Sequence, residues 1–169
     1  SYASVAHLGF VVVGLAAFTP ESVQGALMVM LNAGITTGGM FVLLGVLRHR
    51  LGVADDFASL GGLARAVPAL GSVLVLLVLA NVGLPGTNGF VGEFLVLLGA
   101  FRTYPIAAAV ATIGVILAAV YLLWAVQRVL FQPLADEGNR GLRDLDRREL
   151  TAMTAFAVMI LWLGIAPGP

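Results

Sequence analysis

The chain has 169 residues, of which 60% are hydrophobic and 11% are charged. A soluble domain carries about 25% charged residues, so this composition is typical of an integral membrane protein. The nine basic residues are all Arg and are balanced by nine acidic residues, which excludes the basic surface that nucleic-acid binding requires. The chain contains no Cys, and therefore no disulfide and no thiolate-bound cluster or zinc site.

Five hydrophobic segments approach the length of about 20 apolar residues that a membrane-spanning helix needs. In chain order we expect helices at residues 3–18, 25–47, 67–101, 106–131 and 150–166. The sequence therefore predicts an all-α integral membrane fold, a single membrane domain (residues 1–169) with a bundle of about five transmembrane helices.

The polar stretch at residues 132–149 is expected to be a cytoplasmic loop. Asp144 and Arg148 lie four residues apart in it, which leaves open a short amphipathic helix at the membrane surface. Arg-rich connections stay in the cytoplasm, and Arg is most frequent at residues 48–65 and 128–149. We therefore expect a multi-pass protein of the cell inner membrane with its C-terminus on the outer side.

The ends of the chain lie close to hydrophobic segments, and the first residue is Ser1 and not Met. We expect the chain to be part of a longer protein, either a natural fragment or a shortened one.

The third segment, residues 67–101, is too long for one straight helix. Its 35 residues would extend for about 52 Å, against a hydrocarbon core of about 30 Å. The segment contains NVGLPGTNG at residues 81–89, where Pro85 cannot donate to the Asn81 carbonyl, and Gly83 and Gly86 tolerate unusual dihedral angles. We expect a broken helix here, as at ion sites in transporters, with a simple proline kink as the alternative.

Glu93 is the charged residue in the interior of the third segment. It precedes Arg102 by nine residues, which places it about 13 Å along the helix axis from that end. A carboxyl group at this depth has to face protein or water, so Glu93 is a candidate proton carrier, with a structural ion pair to Arg as the alternative. His7, in the first segment, is a second candidate because imidazole suits proton relay; a merely hydrogen-bonded histidine is its alternative.

Two further polar residues lie in the second segment. Asn32 and Thr36 are four residues apart and share one helix face. They are expected either to support a water wire or to hydrogen-bond to a neighbouring helix. The sequence contains no motif for a nucleotide or other cofactor, and its two His are not spaced as metal ligands.

Two stretches of the chain resemble a known family. YASVAHLGF at residues 2–10 resembles the YSSVSHMGF stretch of the antiporter-like subunits of respiratory complex I. GLPG at residues 83–86, followed by GFVGEF at residues 89–94, is similar to the signature of the subunit M or chain 4 family, which is related to the Mrp antiporters. The resemblance covers essentially the whole chain and corresponds to the C-terminal third of that subunit.

The resemblance implies an antiporter-like inverted-repeat fold and proton translocation through a midplane polar axis, coupled to quinone reduction in partner subunits. Glu93 would be the acid of the broken helix and His7 the relay histidine. Pro85 and Gly86 would support the helix break. Where the family usually has a His-Gly pair, this sequence reads Asn32-Ala33-Gly34, so this position supports a water wire and not a side-chain proton hop.

The implied enzyme is a translocase, NADH:quinone oxidoreductase, of which this chain is a subunit with no redox centre of its own. NADH, flavin, iron–sulfur clusters and quinone are expected in partner subunits. The other expected partners are further membrane subunits of the same complex and the lipid bilayer.

Two other functions stay open. An Mrp-type sodium/proton antiporter or a membrane-bound hydrogenase subunit would have Lys in place of Glu93, and a structural membrane scaffold would carry out no translocation. A membrane hydrolase fits poorly, because the sequence has no intramembrane Ser–His pair, paired Asp or HExxH motif.

Overall fold

The computed structural model describes residues 2–51, 61–133 and 142–166. Its helices in chain order are α1 (Tyr2–Ala17), α2 (Pro20–Leu51), α3 (Leu63–Ala66), α4 (Pro68–Val82), α5 (Asn88–Thr103), α6 (Pro105–Val126) and α7 (Arg147–Ile165). A π-helical turn, Gln127–Phe131, continues α6. No strand occurs in the described ranges, and the predicted all-α fold is confirmed.

Three helical stretches are long and apolar enough to cross a membrane, namely Pro20–Arg50, Pro105–Phe131 and Arg147–Ile165. Two further apolar helices, Ala3–Ala17 and Pro68–Val82, are shorter. Large hydrophobic side chains cover the outside of α6, where Ile106 is 80% and Val110 is 63% exposed. Surfaces of this kind are expected against lipid or other membrane helices, so the chain is a membrane protein.

The second helix is longer than the predicted range 25–47. It begins at Pro20, because proline is favoured in the first helical turn. Thr19 and Ser22 also cap this end, since the Thr19 N–H donates to Ser22 Oγ over 3.0 Å and the Ser22 N–H donates to Thr19 Oγ1 over 3.2 Å. At the other end the helix continues through Arg48–Arg50 to Leu51, because charged residues extend a helix beyond its apolar part without a penalty.

The predicted loop at residues 132–149 is wrong at its C-terminal end, because α7 begins at Arg147. Asp146 accepts a hydrogen bond from the backbone of Glu149, and the Asp146 N–H donates to Glu149 Oε2 over 2.8 Å. This reciprocal capping box starts the helix before its apolar part. Residues 142–146 are not helical, so the loop and not the alternative amphipathic helix is found there. The remainder of that loop, and residues 52–60, lie outside the described residues.

The third segment is interrupted between Val82 and Asn88. Gly83 has a φ of +76°, its N–H donates to the Ala80 carbonyl over 3.3 Å, and the Leu84 N–H donates to the Leu79 carbonyl over 3.0 Å. This pair of bonds is a Schellman motif, in which a left-handed glycine ends the helix. The helix therefore ends on Gly83, and Pro85 follows in the turn and prevents the helix from resuming at once.

Glycines allow α2 and α5 to pack at very short range. A Cβ atom on Gly25 would lie 2.6 Å from the Val96 nitrogen, and one on Gly92 would lie 2.9 Å from the Val29 nitrogen. Helices inside membranes gain most of their packing energy from such close backbone approach. This contact fixes α5, and with it Glu93, relative to the centre of the bundle.

Polar contacts hold the two ends of the bundle together. At the end of the bundle where α2 ends and α7 begins, here called the loop end, Arg50 of α2 pairs with Glu149 of α7. At the same end, Asp144 accepts hydrogen bonds from the N–H groups of Ala69 (2.8 Å) and Leu70 (3.1 Å) in α4. At the opposite end, Arg102 Nη1 lies 2.6 Å from Glu21 Oε1, and the Thr103 hydroxyl donates to the Ala17 carbonyl over 3.4 Å.

Candidate functional site

Glu93 lies in the second turn of α5 and is only 8% exposed. Its carboxyl group faces the helix break, since a Cβ atom on Gly83 would be 2.7 Å from Glu93 Oε2. Gly83 therefore serves the site twice: its left-handed backbone ends α4, and its lack of a side chain leaves room for the carboxyl group.

His7 of α1 is the ionisable group beside Glu93. His7 Nδ1 lies 3.7 Å from Glu93 Oε1, and the two side chains are 13% and 10% exposed. This distance exceeds the usual length of a hydrogen bond by about 0.7 Å. The structure thus brings together the two residues that the sequence singled out as proton carriers, from helices far apart in the chain.

Asn81 completes a row of three polar side chains. His7 Nε2 lies 3.2 Å from Asn81 Oδ1, and Asn81 Nδ2 donates to the Leu77 carbonyl over 2.9 Å. From the sequence alone, Asn81 is only the first residue of the NVGLPGTNG motif at the break. Its polar side chain in the otherwise apolar last turn of α4 was the available signal, but the contact with His7 depends on how α1 packs against α4.

The row borders a cavity of about 470 Å³ between α1, α4, α5 and α6. Its wall is mainly apolar, and the polar side chains that line it are His7, Asn81, Glu93 and Tyr121. A second cavity of about 420 Å³ shares Asn81 and Tyr121 with the first and reaches Leu47 and Leu74. A few polar groups that converge in an apolar cavity are typical of a functional site. Tyr121 was not predicted, because only the packing of α6 makes this residue line both cavities.

Asn32 and Thr36 are buried away from this row. Asn32 Nδ2 donates to the Asn88 carbonyl, which ties α2 to the first turn of α5. The Thr36 hydroxyl donates to the Asn32 carbonyl within α2 over 2.8 Å. Asn32 Oδ1 and both amide atoms of Asn88 are buried without a hydrogen-bond partner among the described residues, and groups of this kind commonly bind ordered water. The predicted water-wire role of Asn32 stays a prediction.

Pro85 and Gly86 lie in the exposed turn of the break. Gly86 has a φ of +91° and open space around its Cα atom. Both residues shape the turn, and neither lines the two cavities described above. In the described ranges, no three His, Asp or Glu side chains are grouped as a metal ion would require.

The sequence was next compared with known proteins. A profile described as NADH:quinone oxidoreductase/Mrp antiporter, transmembrane, matches residues 1–120. The chain belongs to this family. It is 41% identical over 167 residues to NADH-quinone oxidoreductase subunit M of Rhodobacter capsulatus, which covers 99% of this chain and 32% of that protein. The chain thus spans about one third of the length of the curated relatives it matches, and the predicted family is confirmed.

Solved structures of the NADH:quinone oxidoreductase/Mrp antiporter family have the same fold. A chain of respiratory complex I from Thermus thermophilus with bound NADH superposes with a TM-score of 0.90 at 38% identity, over 99% of this chain and 35% of that one. A chain of the Mrp complex from Dietzia sp. DQ12-45-1b superposes with a TM-score of 0.81 over 95% of this chain and 38% of that one. Its 20% identity establishes a shared fold only.

Proposed function

We propose that this chain is the C-terminal part of a proton-translocating membrane subunit of an NADH–quinone oxidoreductase. The observation that carries the proposal is the pair of Glu93 and His7, with Nδ1 and Oε1 3.7 Å apart beside a broken helix. Carboxyl and imidazole groups are both able to exchange protons. Because an ionisable residue inside a membrane bundle is energetically costly, its presence indicates a function. The names of the relatives support the same activity for the longer protein.

The proton path within this chain consists of Glu93 and His7, with the cavity between α1 and α6 supplying water to both. Asn32, through its contact with Asn88 at the break, supports water on the other side of α5. Thr36, Pro85 and Gly86 keep the backbone in place and exchange no proton. NADH, flavin, iron–sulfur clusters and quinone belong to partner subunits, so redox energy has to reach this site through contacts between subunits.

The proposed membrane arrangement has five crossings, with α1, α2, α6 and α7 each making one and α4 and α5 together making the broken one. Together they form one half of an inverted-repeat, antiporter-like fold. The loop end faces the cytoplasm because its connections carry most of the Arg residues. The C-terminus then lies on the outer side of the inner membrane. Other membrane subunits of the same complex contact the exposed apolar faces.

The proposal is tested by Glu93→Gln in the full-length subunit, assembled in its complex in native membranes. Glutamine keeps the shape of the side chain but has no acidic proton to release. We expect the number of protons moved per electron through this subunit to fall by about tenfold or more, since a positioned proton-transfer group contributes about 10²-fold or more. The matched control is Glu93→Asp, which keeps a carboxyl group and retains measurable pumping.

The same assay separates the alternative functions. A structural scaffold predicts normal pumping in Glu93→Gln membranes with normal assembly, and that result would overturn the proposal. Sodium uptake that depends on Glu93, measured with the labelled ion in place of a pH dye, would favour an antiporter of the Mrp type.

A further inference from the structure

The orientation of the Asn81 side-chain amide is fixed by its own helix. Its Nδ2 lies 2.9 Å from the Leu77 carbonyl oxygen, and a carbonyl oxygen only accepts hydrogen bonds. The NH₂ group of the amide therefore faces Leu77. The amide oxygen, Oδ1, is left to face His7 at 3.2 Å.

This orientation decides which nitrogen of His7 carries a hydrogen. Asn81 Oδ1 only accepts, so a favourable contact requires a hydrogen on His7 Nε2. A neutral imidazole has one N–H and one nitrogen with a free lone pair. The lone pair is then on Nδ1, the atom that lies 3.7 Å from Glu93 Oε1.

We propose that Asn81 is a positioning residue that holds neutral His7 in the tautomer with hydrogen on Nε2, and so makes Nδ1 the nitrogen that exchanges protons. The inference rests on the proposed function and specifies its chemistry. The opposite tautomer would direct the lone pair of Nε2 at the lone pairs of Asn81 Oδ1, so that two acceptors 3.2 Å apart would repel each other and their hydrogen bond would be lost. It would also put the N–H on Nδ1, which would then donate a hydrogen bond to Glu93 and have no lone pair with which to accept a proton.

The proton step then has a defined start and end. A proton leaves Oε1 of the protonated Glu93 carboxyl and binds the lone pair of His7 Nδ1. The products are a carboxylate and an imidazolium ion, so the net charge of the pair is unchanged. The amide oxygen of Asn81 accepts the Nε2–H hydrogen bond but is too weak a base to take that proton. The transferred proton therefore leaves from Nδ1 again, either back to Glu93 or to water in the adjoining cavity.

The first test is spectroscopic and uses the full-length subunit in its complex with ¹⁵N-labelled histidine. Subtracting the nitrogen spectrum of a His7→Gln variant from that of the wild type isolates the two His7 signals. We expect the neutral ring to have a directly bonded hydrogen on Nε2 and none on Nδ1. A hydrogen on Nδ1 in the wild type would overturn the inference, whatever the variants do.

The second test distinguishes tautomer control from simple packing at Asn81. Asn81→Leu removes the acceptor at nearly constant shape, whereas Asn81→Asp keeps an acceptor oxygen and places an acidic group in the membrane. Tautomer control predicts a loss of pumping of about tenfold or more in the Leu variant, since a wrong tautomer disables a histidine, and partial rescue by Asp. Packing alone predicts that Leu is tolerated better than Asp, and that order would contradict the inference.

Ser72→Ala, which changes an exposed hydroxyl near the start of the same helix, is the control for both variants and should pump normally. The two proposals fail separately. Normal pumping in Glu93→Gln would overturn the proposed function, whereas the nitrogen spectrum of the wild type decides the tautomer independently of any pumping assay.

Discussion

At the scale of single residues, the carboxyl group of Glu93 depends on a glycine in another helix. Gly83 combines a φ of +76° with a Cβ position that lies only 2.7 Å from Glu93 Oε2. Other residues pay about 1–2 kcal/mol for a left-handed backbone, and here the added methyl group would also displace the carboxyl group. Gly86 has a φ of +91° but open space at its Cβ position, so substituting it with alanine isolates the backbone effect.

We expect Gly83→Ala and Gly86→Ala to lower the thermal unfolding temperature of the assembled subunit by similar amounts. Only Gly83→Ala should reduce proton pumping, by about tenfold or more, since a displacement of about 1 Å costs a reacting pair up to 10²-fold. Unfolding in detergent and pumping in vesicles are measured on the same preparations. Equal pumping by the two variants would show that Gly83 does not position the carboxyl group.

The sequence was sufficient to select Glu93 and His7, because an ionisable residue inside an apolar segment needs a reason to be there. It was not sufficient for Asn81 or Tyr121. Their roles depend on contacts between α1, α4 and α6, and polar residues near a helix end are common without any function. Asn32 is the opposite case, because the sequence selected it but the structure places it away from the Glu93–His7 pair in the hydrogen-bond network. Its side-chain amide donates to the Asn88 carbonyl at the start of α5.

At the scale of helices, α4 is capped by a residue distant in the sequence. Its own N-cap residue, Val67, has no side-chain acceptor, and Asp144 accepts from the N–H groups of Ala69 and Leu70 instead. These are the N–H groups that a local cap would satisfy. Asp144 thereby connects the loop before α7 to the helix that leads to the break.

The environment of Asp144 makes this cap dependent on pH. Burial acts to raise the pKa of Asp144, but the N–H groups of Ala69, Leu145 and Leu70 and the charge of Arg50 outweigh it and hold the pKa below its usual value. A carboxyl group whose pKa is lower in the folded state stabilises the fold above its unfolded pKa of about 3.9. That stabilisation is lost as the pH falls through the folded pKa.

We expect Asp144→Ala to reduce the free energy of unfolding by about 1 kcal/mol at neutral pH, as for the loss of a helix cap. The difference from the wild type should stay constant between neutral pH and about pH 5 and shrink below about pH 4. Urea unfolding in detergent at several pH values measures it, with Thr151→Ala at the same end of the bundle as control. A difference that is constant down to pH 3 would contradict the role of the carboxylate.

The same reasoning explains which of the helix boundaries could be predicted from the sequence. Hydropathy located every long helix and the interruption near Pro85, because apolar runs and proline act locally. It missed the starts at Pro20 and Arg147, where Thr19, Ser22, Asp146 and Glu149 form caps beyond the apolar run. It predicted the break from Pro85 together with the glycines at positions 83 and 86, and in the structure the left-handed Gly83 ends the helix before Pro85 is reached.

At the scale of the whole molecule, the site lies in the middle of a bundle whose outer helices are largely exposed. The membrane-crossing part of α6 has Ile106, Ile116 and Val120 all at 60% exposure or more, and Arg128 lies 5.2 Å from the centre of the Trp124 ring at its end. An Arg beside an exposed Trp is typical of a helix end at the membrane–water interface. This agrees with the proposed arrangement, in which this end of α6 lies at the membrane–water interface.

Together, the two cavities extend from the loop end of the bundle to the site. The second cavity reaches Leu47, Leu74 and Val129 towards the loop end and meets the first at Asn81 and Tyr121. Its walls are apolar, so water in it is weakly held. The exchangeable proton therefore belongs to Glu93 and His7, and the cavities supply only water.

The most direct test of this account is infrared difference spectroscopy of the whole complex, comparing the spectrum before and after NADH drives turnover. The account predicts a change in the C=O stretching band of a protonated carboxyl group that is present in the wild type, shifted in frequency in His7→Gln and absent in Glu93→Gln. An unchanged carboxyl signal in Glu93→Gln would mean that Glu93 neither takes up nor releases a proton, and would contradict the account.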